Sequence, residues 1–280
     1  MTSEIAFALA VVVGAAFTWA AIVVGRRLTL LDRPGEIKPH ARATPYTGGA
    51  AILGTLLAIG PFVGGNVAVL VGAALCWLVG AVDDVRGLSP VTKLAAQVPA
   101  LFVGSFAVEL DPMTRTIAVT LGLILLNAFN VVDGLDGLAA GVAAGPLVLL
   151  ALVGAGGLIA VVALGAVLGF MLFNLAPARV FLGDQGSLLL GYVLWILPLL
   201  WLGTEGSFRV GSLWVLLWLF PIANLIFVLL IRASARRPLL RGDRSHLYDA
   251  LHRRYGLRST LALCWGVSIL GAVGAAAVVS

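Results

Sequence analysis

Charge is scarce in this 280-residue sequence. Asp, Glu, Lys and Arg make up 11% of it, against roughly 25% in a soluble domain, which excludes an ordinary soluble enzyme. Cysteine is nearly absent. Cys76 and Cys264 both lie inside apolar runs, so there is no disulfide framework and no CxxC metal cluster. The apolar stretches do not alternate with polar residues as the strands of an outer-membrane barrel would. No internal repeat is evident, which leaves an inverted-repeat transporter without direct support. What abounds is apolar surface: 61% of residues are hydrophobic, and 34 are glycine. Small residues let membrane helices approach closely, and a bilayer-spanning helix needs roughly 20 apolar residues. The expected fold is all-α, a single polytopic transmembrane domain over residues 1–280 with about ten spans.

The first apolar run, about 5 to 24, is followed at once by Arg26 and Arg27, the reverse of a secretory signal's polarity. Further spans are expected at about 48–65, 66–82, 93–109, 115–132, 137–153, 157–175, 187–203, 211–231 and 260–279. With both termini outside, sixteen of the eighteen Lys and Arg fall on the cytoplasmic side, all except Arg115 and Arg209. That obeys the positive-inside rule. It also explains the net charge of +5 without invoking nucleic acid.

Nine of the thirteen acidic residues face the same side, several at helix ends where an unpaired carboxylate is costly and so marks function. Five cytoplasmic connections carry them, near 26–47, 83–93, 127–137, 174–187 and 232–259. In GAVDDVRGLSP, Asp83 and Asp84 close a span. They serve either as a solvated helix end beside Arg86 or as oxygen donors for a Mg²⁺-phosphate complex, with Lys93 answering a phosphate. In NAFNVVDGLDGLAAG, Asn127, Asn130, Asp133 and Asp136 recur every third residue, and Gly134 and Gly137 are expected to break the helix so that the carboxylates converge. FNLAPARVFLGDQGSLLLG gathers Asn174, Phe181 and Asp184, with Gly186-Ser187 opening a helix whose free N–H groups would face an anion. DRPGEIKPHARATPYTGG brings Lys38, His40 and Arg42 to the same face, and GDRSHLYDAL adds His246 in a loop rich in arginine. Such a loop otherwise serves anionic lipid headgroups.

These five segments, in this order on one membrane face, resemble the polyprenyl-phosphate N-acetylhexosamine-1-phosphate transferases, over approximately residues 32–255. NxxNxxDGxDGLAxG and FNxxPAxVFxGDxGS are the specific signatures. The resemblance implies transfer of a sugar 1-phosphate from a UDP-N-acetylhexosamine to undecaprenyl phosphate at the cytoplasmic face of the plasma membrane. The products are UMP and a lipid diphosphate sugar that starts a cell-envelope glycan. It implies Mg²⁺ or Mn²⁺ as cofactor, Asp184 as metal ligand, and Phe181 packed on uracil. Asn127, Asn130, Asp133, Asp136 and Asn174 would line the nucleotide-sugar pocket, with Asp83 and Asp84 near the reacting phosphates. A homodimer in the bilayer is also implied.

A phosphate monoester has a second pKa of about 6, so the lipid phosphate needs little help from a base. The harder task is to bring two anions together, which the metal, Lys38, His40, Arg42, Lys93 and His246 would ease. Direct in-line attack is expected, against the alternative of an aspartyl-phosphate on Asp83 or Asp84. Ile37 stands where the family's first-loop pattern has Arg, and Tyr248 and Asp249 stand where many members have histidines. Those departures resemble a subgroup acting on N-acetylated deoxy sugars. The alternatives are an inactive family member and a transporter or flippase for an anionic lipid or nucleotide, the latter predicting polar residues spread toward both faces.

Overall fold

The computed structural model describes residues 1–34, 42–202, 214–236 and 245–279. Along the chain run α1 (Ser3–Arg27), β1 (Leu31–Asp32), β2 (Thr44–Pro45), α2 (Gly48–Ile59), α3 (Val67–Arg86), α4 (Pro90–Ser105) and α5 (Pro112–Asn130). Then follow α6 (Leu138–Leu152), α7 (Leu158–Asn174), α8 (Gly183–Leu202), α9 (Leu219–Ser234) and α10 (Leu247–Val279). A helix overlaps each of the ten expected segments, and the fold is an all-α membrane protein. Five helices among the described residues, α1, α3, α5, α8 and α10, are long and apolar enough to cross a bilayer. The strands form one short antiparallel pair, Leu31 opposite Pro45 and Asp32 opposite Thr44, which folds the first connection back toward α2.

The centre of the bundle is α8, where Leu188, Leu189, Leu190, Tyr192, Trp195, Ile196 and Leu197 are all shut off from the surface. α3, α5 and α2 pack around it, α4 lies against α3, and α1 packs on α7. Glycine makes these approaches possible. At the α1 and α7 crossing, a Cβ on Gly169 would sit 2.6 Å from the Val11 carbonyl oxygen, closer than side-chain carbons come. Hydroxyls inside apolar helices bond to carbonyls one turn back, Thr18 to Gly14 at 2.7 Å and Thr55 to Ala51 at 2.8 Å, so these two hydroxyls enter the core already paired.

Two helix starts at the end that carries the acidic residues differ from the sequence expectation by four residues or more. The helix expected from 187 begins at Gly183, because Asp84 on α3 caps its first turn from outside. The helix expected from 260 begins at Leu247 and is interrupted at Gly256, whose φ of 75° ends one helical stretch before the next begins. Part of the connection expected near 232–259 is therefore helical.

Candidate active site

Three helix ends meet where α3, α5 and α8 expose their polar termini. Lys93, one turn into α4, places its Nζ 2.7 Å from Asp83 Oδ2 and 2.9 Å from Asp184 Oδ2. The same ammonium donates to Asn130 Oδ1 at 3.1 Å. Asn130, the last residue of α5, turns its amide nitrogen on Asp184 Oδ1 at 2.6 Å and on the Ser187 hydroxyl at 2.7 Å. Asp184 is thus held from two sides by groups that leave its carboxylate facing Asp83. Asp83 also accepts the Leu88 N–H at 2.6 Å, which closes the end of α3.

The structure brings Asp83, Asp84, Lys93, Asn130 and Asp184, expected on one membrane face, to one place. The free N–H groups expected at Gly186-Ser187 are a correction: the helix opens at Gly183, and its first amides, Asp184 and Gln185, donate to Asp84. Asn127 lies one turn deeper, paired with Gln97 at 2.7 Å and with the Leu123 carbonyl at 2.7 Å.

The connection from 131 to 137 does break the helix, and its two carboxylates are close enough for Asp133 to feel the charge of Asp136. Asp136 accepts the Ala178 N–H at 2.9 Å and so ties this connection to the one before α8. Asn174 does the same from the other side, accepting the Gly137 N–H at 3.1 Å and donating to the Val180 carbonyl at 2.9 Å. Both polar ends of Asn174 are spent on joining these two connections. Asp133 faces inward. Burial pushes its carboxyl up to about 8, and the negative charges of Asp184, Asp84 and Asp136 add to the rise.

Phe181 is fixed by its backbone, its N–H donating to Pro45 at 2.7 Å and its carbonyl accepting from Gly48 at 3.0 Å. The first connection and the α7 to α8 connection are thereby joined. His246 precedes α10, its ring stacked on Tyr248 at 4.9 Å between centroids and 7° between planes. Tyr248 in turn fills the space beside Gly134, where a Cβ would overlap its hydroxyl. Arg42 is exposed, while Lys38 and His40 lie outside the described residues.

Gln185, Trp77 and Asn224 were not among the expected residues. Gln185 joins Asp84, the Tyr46 carbonyl and the Trp77 indole N–H. Asn224, fully buried in α9, donates to the Val131 carbonyl at 3.3 Å and accepts the Leu247 N–H at 3.0 Å. An amide alone in an apolar run was the signal for Asn224.

Oxygen is the dominant donor here, and carboxylates outnumber the ammonium among the described site residues, a set suited to a hard cation such as Mg²⁺. No three His, Cys, Asp or Glu side chains among the described residues close on a single point, and the Lys93 ammonium lies between Asp83 and Asp184. The donor chemistry fits a divalent cation whose shell phosphate and water would complete.

Residues 66–202 match the profile of glycosyl transferase family 4. Over 254 residues the chain is 32% identical to the undecaprenyl-phosphate alpha-N-acetylglucosaminyl 1-phosphate transferase of Thermotoga maritima, spanning 89% of this chain and 81% of that protein. The chain belongs to glycosyl transferase family 4. Other members similar to it include the probable undecaprenyl-phosphate N-acetylglucosaminyl 1-phosphate transferase of Bacillus subtilis, 31% identical over 251 residues, 80% of this chain and 70% of that one. The phospho-N-acetylmuramoyl-pentapeptide-transferase of Kosmotoga olearia is 30% identical over 234 residues, 70% of this chain and 71% of its own length. The family 4 match encloses the whole cluster from Asp83 to Asp184 and ends before His246.

Proposed function

We propose that this family 4 member transfers a sugar 1-phosphate from a UDP-N-acetylhexosamine to undecaprenyl phosphate, with the catalytic end of the bundle at the cytoplasmic face of the plasma membrane. The observation that carries the reading is the junction of Asp83, Lys93, Asn130 and Asp184, drawn from four helices to one end of the bundle. Concentration of polar groups at one end suits chemistry at a surface better than a transport path, which would run polar residues toward both faces.

A terminal oxygen of the lipid phosphate attacks the sugar-bearing phosphorus. The bond from that phosphorus to the bridging oxygen breaks, and the oxygen leaves with UMP. The lipid phosphate, with a second pKa of about 6, is already nucleophilic at neutral pH. What the chain must supply is alignment and neutralisation of two anions. Lys93 meets the negative charge of the reacting diphosphate, Asn130 keeps Asp184 in register, and Asp136 and Asn174 tie together the connections before α6 and α8. Asp184, with Asp83 beside it, would hold Mg²⁺, which when bound screens the diphosphate oxygens and favours departure of UMP. Ten spans with both termini outside, and a homodimer in the bilayer, complete the reading.

The test is UMP release by detergent-purified protein given Mg²⁺, undecaprenyl phosphate and a panel of UDP-N-acetylhexosamines, deoxy sugars included, with Asp184→Asn as control. UMP formed only with lipid and metal together, and lost in the variant, is the expected result. UMP release independent of lipid would overturn it.

A further inference from the structure

Asp83 and Asp84 are neighbours in sequence, and their bonds separate them. Asp83 faces Lys93 and the Leu88 N–H. Asp84 turns to another element: its Oδ1 accepts the Asp184 N–H at 2.9 Å, and its Oδ2 accepts the Gln185 N–H and the Gln185 side-chain amide, each at 3.1 Å. Successive residues on a helix point about 100° apart, so adjacent carboxylates do not naturally serve one point.

The first N–H groups of any helix lack partners within it. Leu182, the residue before α8, has no side-chain acceptor to offer them. Asp84 supplies the missing cap from α3, one hundred residues earlier in the chain. Glycines make room for it. A Cβ at Gly80 would overlap the backbone of Asp184 and Gln185, and one at Gly183, where φ is 72°, would lie 2.8 Å from Asp84 Oδ2. Gln185, buried, extends the clamp by donating to the Tyr46 carbonyl at 2.9 Å and accepting the Trp77 indole N–H at 2.9 Å.

We propose that Asp84 is a positioning residue: together with Gln185 it fixes the first turn of α8, and so the direction in which Asp184 presents its carboxylate to Lys93 and Asn130. A carboxylate has about four lone-pair sites, and α8 occupies three of them here. Asp84 is neither nucleophile nor metal ligand, and any chemistry in the Asp-Asp pair falls to Asp83. This assignment rests on the transferase reading above.

Asn caps helices about as well as Asp, and Ala does not, whereas Asn replaces neither a nucleophile nor an anionic ligand. The experiment measures UMP release across pH, and melting without substrate, for the intact protein and its Asp84→Asn, Asp84→Ala and Asp83→Asn variants. Asp84→Asn keeps one of the two accepting oxygens and turns an NH2 on the other donors, so its kcat is expected to lie between the parent and Asp84→Ala, with an unshifted pH profile. Asp84→Ala is expected to fall about 100-fold, the cost of a misplaced reacting group, and to melt about 5 °C lower. Asp83→Asn should lie well below Asp84→Asn in activity. Gln185→Leu is a second probe, expected to lower kcat about tenfold with KM for the nucleotide sugar unchanged.

Asp84→Asn as inactive as Asp83→Asn, while melting with the parent, would overturn the assignment. So would Asp84→Ala with parental kcat and melting. If the parent releases no UMP, the transferase reading fails on its own, and the melting order still decides the cap: Asp84→Ala no less stable than Asp84→Asn would sink it.

Discussion

The two ends of the bundle use the same residue types over very different distances. At one end Asn66 accepts the Ala68 N–H at 2.8 Å, and Asp111 accepts those of Met113 and Thr114 at 3.0 and 3.1 Å. Each finishes its own helix within three residues. At the other end Asp84 caps a helix one hundred residues away, and Asn130 reaches Asp184 and Ser187 across 54 and 57 residues. A local cap forms as soon as its helix does. A remote cap forms only when the bundle is assembled, so the geometry of the candidate site is a product of tertiary packing, and changes there couple stability to activity.

The sharpest way to break this contrast is Lys93→Met. It leaves the Asp83 and Asp184 carboxylates facing each other without the ammonium that now joins them. Removing the shared cation leaves two facing carboxylates without a partner, so the variant should melt below the parent. UMP release should fall at least about 1000-fold, because the same cation meets the reacting diphosphate. Asp83, Lys93 and Asp184 belong to different helices, so parental melting for this variant would show that the remote end is no more tightly built than the local one.

Much of this contrast was legible beforehand. Asp83, Asp84, Asn130 and Asp184 stood out because charged and amide groups beside long apolar runs are costly unless used, and the bias of Lys and Arg told which ends belong together. What could not be read was division of labour. Asp83 and Asp84 look alike in a string of letters, and only the approach of α8 to Gly80 shows that one of them faces another helix's backbone. Asn174 and Asp136 read as pocket residues, yet their bonds run to the Gly137, Val180 and Ala178 backbones, partners that exist only once two connections are side by side. The start of α8 was misplaced for the same reason: its cap is not in its own neighbourhood, where capping rules look. Gln185 fills the unspecified position of GDxGS, where a glutamine carries no signal until Tyr46 and Trp77 come near it.

A milder perturbation sharpens the comparison through pH. The Asp133 carboxyl ordinarily titrates at 3.8 and is pushed up to about 8 in the folded chain. Between those values the native state holds a proton that the unfolded chain has lost, so this group's contribution to stability declines as pH rises from about 4 to about 8, and the whole penalty is present above that. Asp133→Asn is neutral throughout and should remove the slope. Melting followed from pH 5 to 8.5 without divalent metal should show the variant gaining on the parent toward the alkaline end. A difference that stays constant with pH would mean that Asp133 is not held protonated by its neighbours.

The smallest effect belongs to the local end, and it serves as the reference for the others. Asp111→Ala strips the N-cap from α5, exposing the Met113 and Thr114 N–H groups to water that is already at hand, since Asp111 is exposed. Lost caps of this kind are modest in cost, and here solvent replaces the acceptor, so melting should drop by no more than a few degrees. α5 nevertheless runs from Asp111 to Asn130, the residue that grips Asp184. If fraying at one end were transmitted along the helix, UMP release would fall with melting. It should not, because the first and last turns of α5 are anchored separately, the last by Asn130 bonding to α8 and by Asn224 holding Val131. A loss of activity in Asp111→Ala larger than its loss of stability would show the two ends to be mechanically linked and the local character of that cap to be incidental.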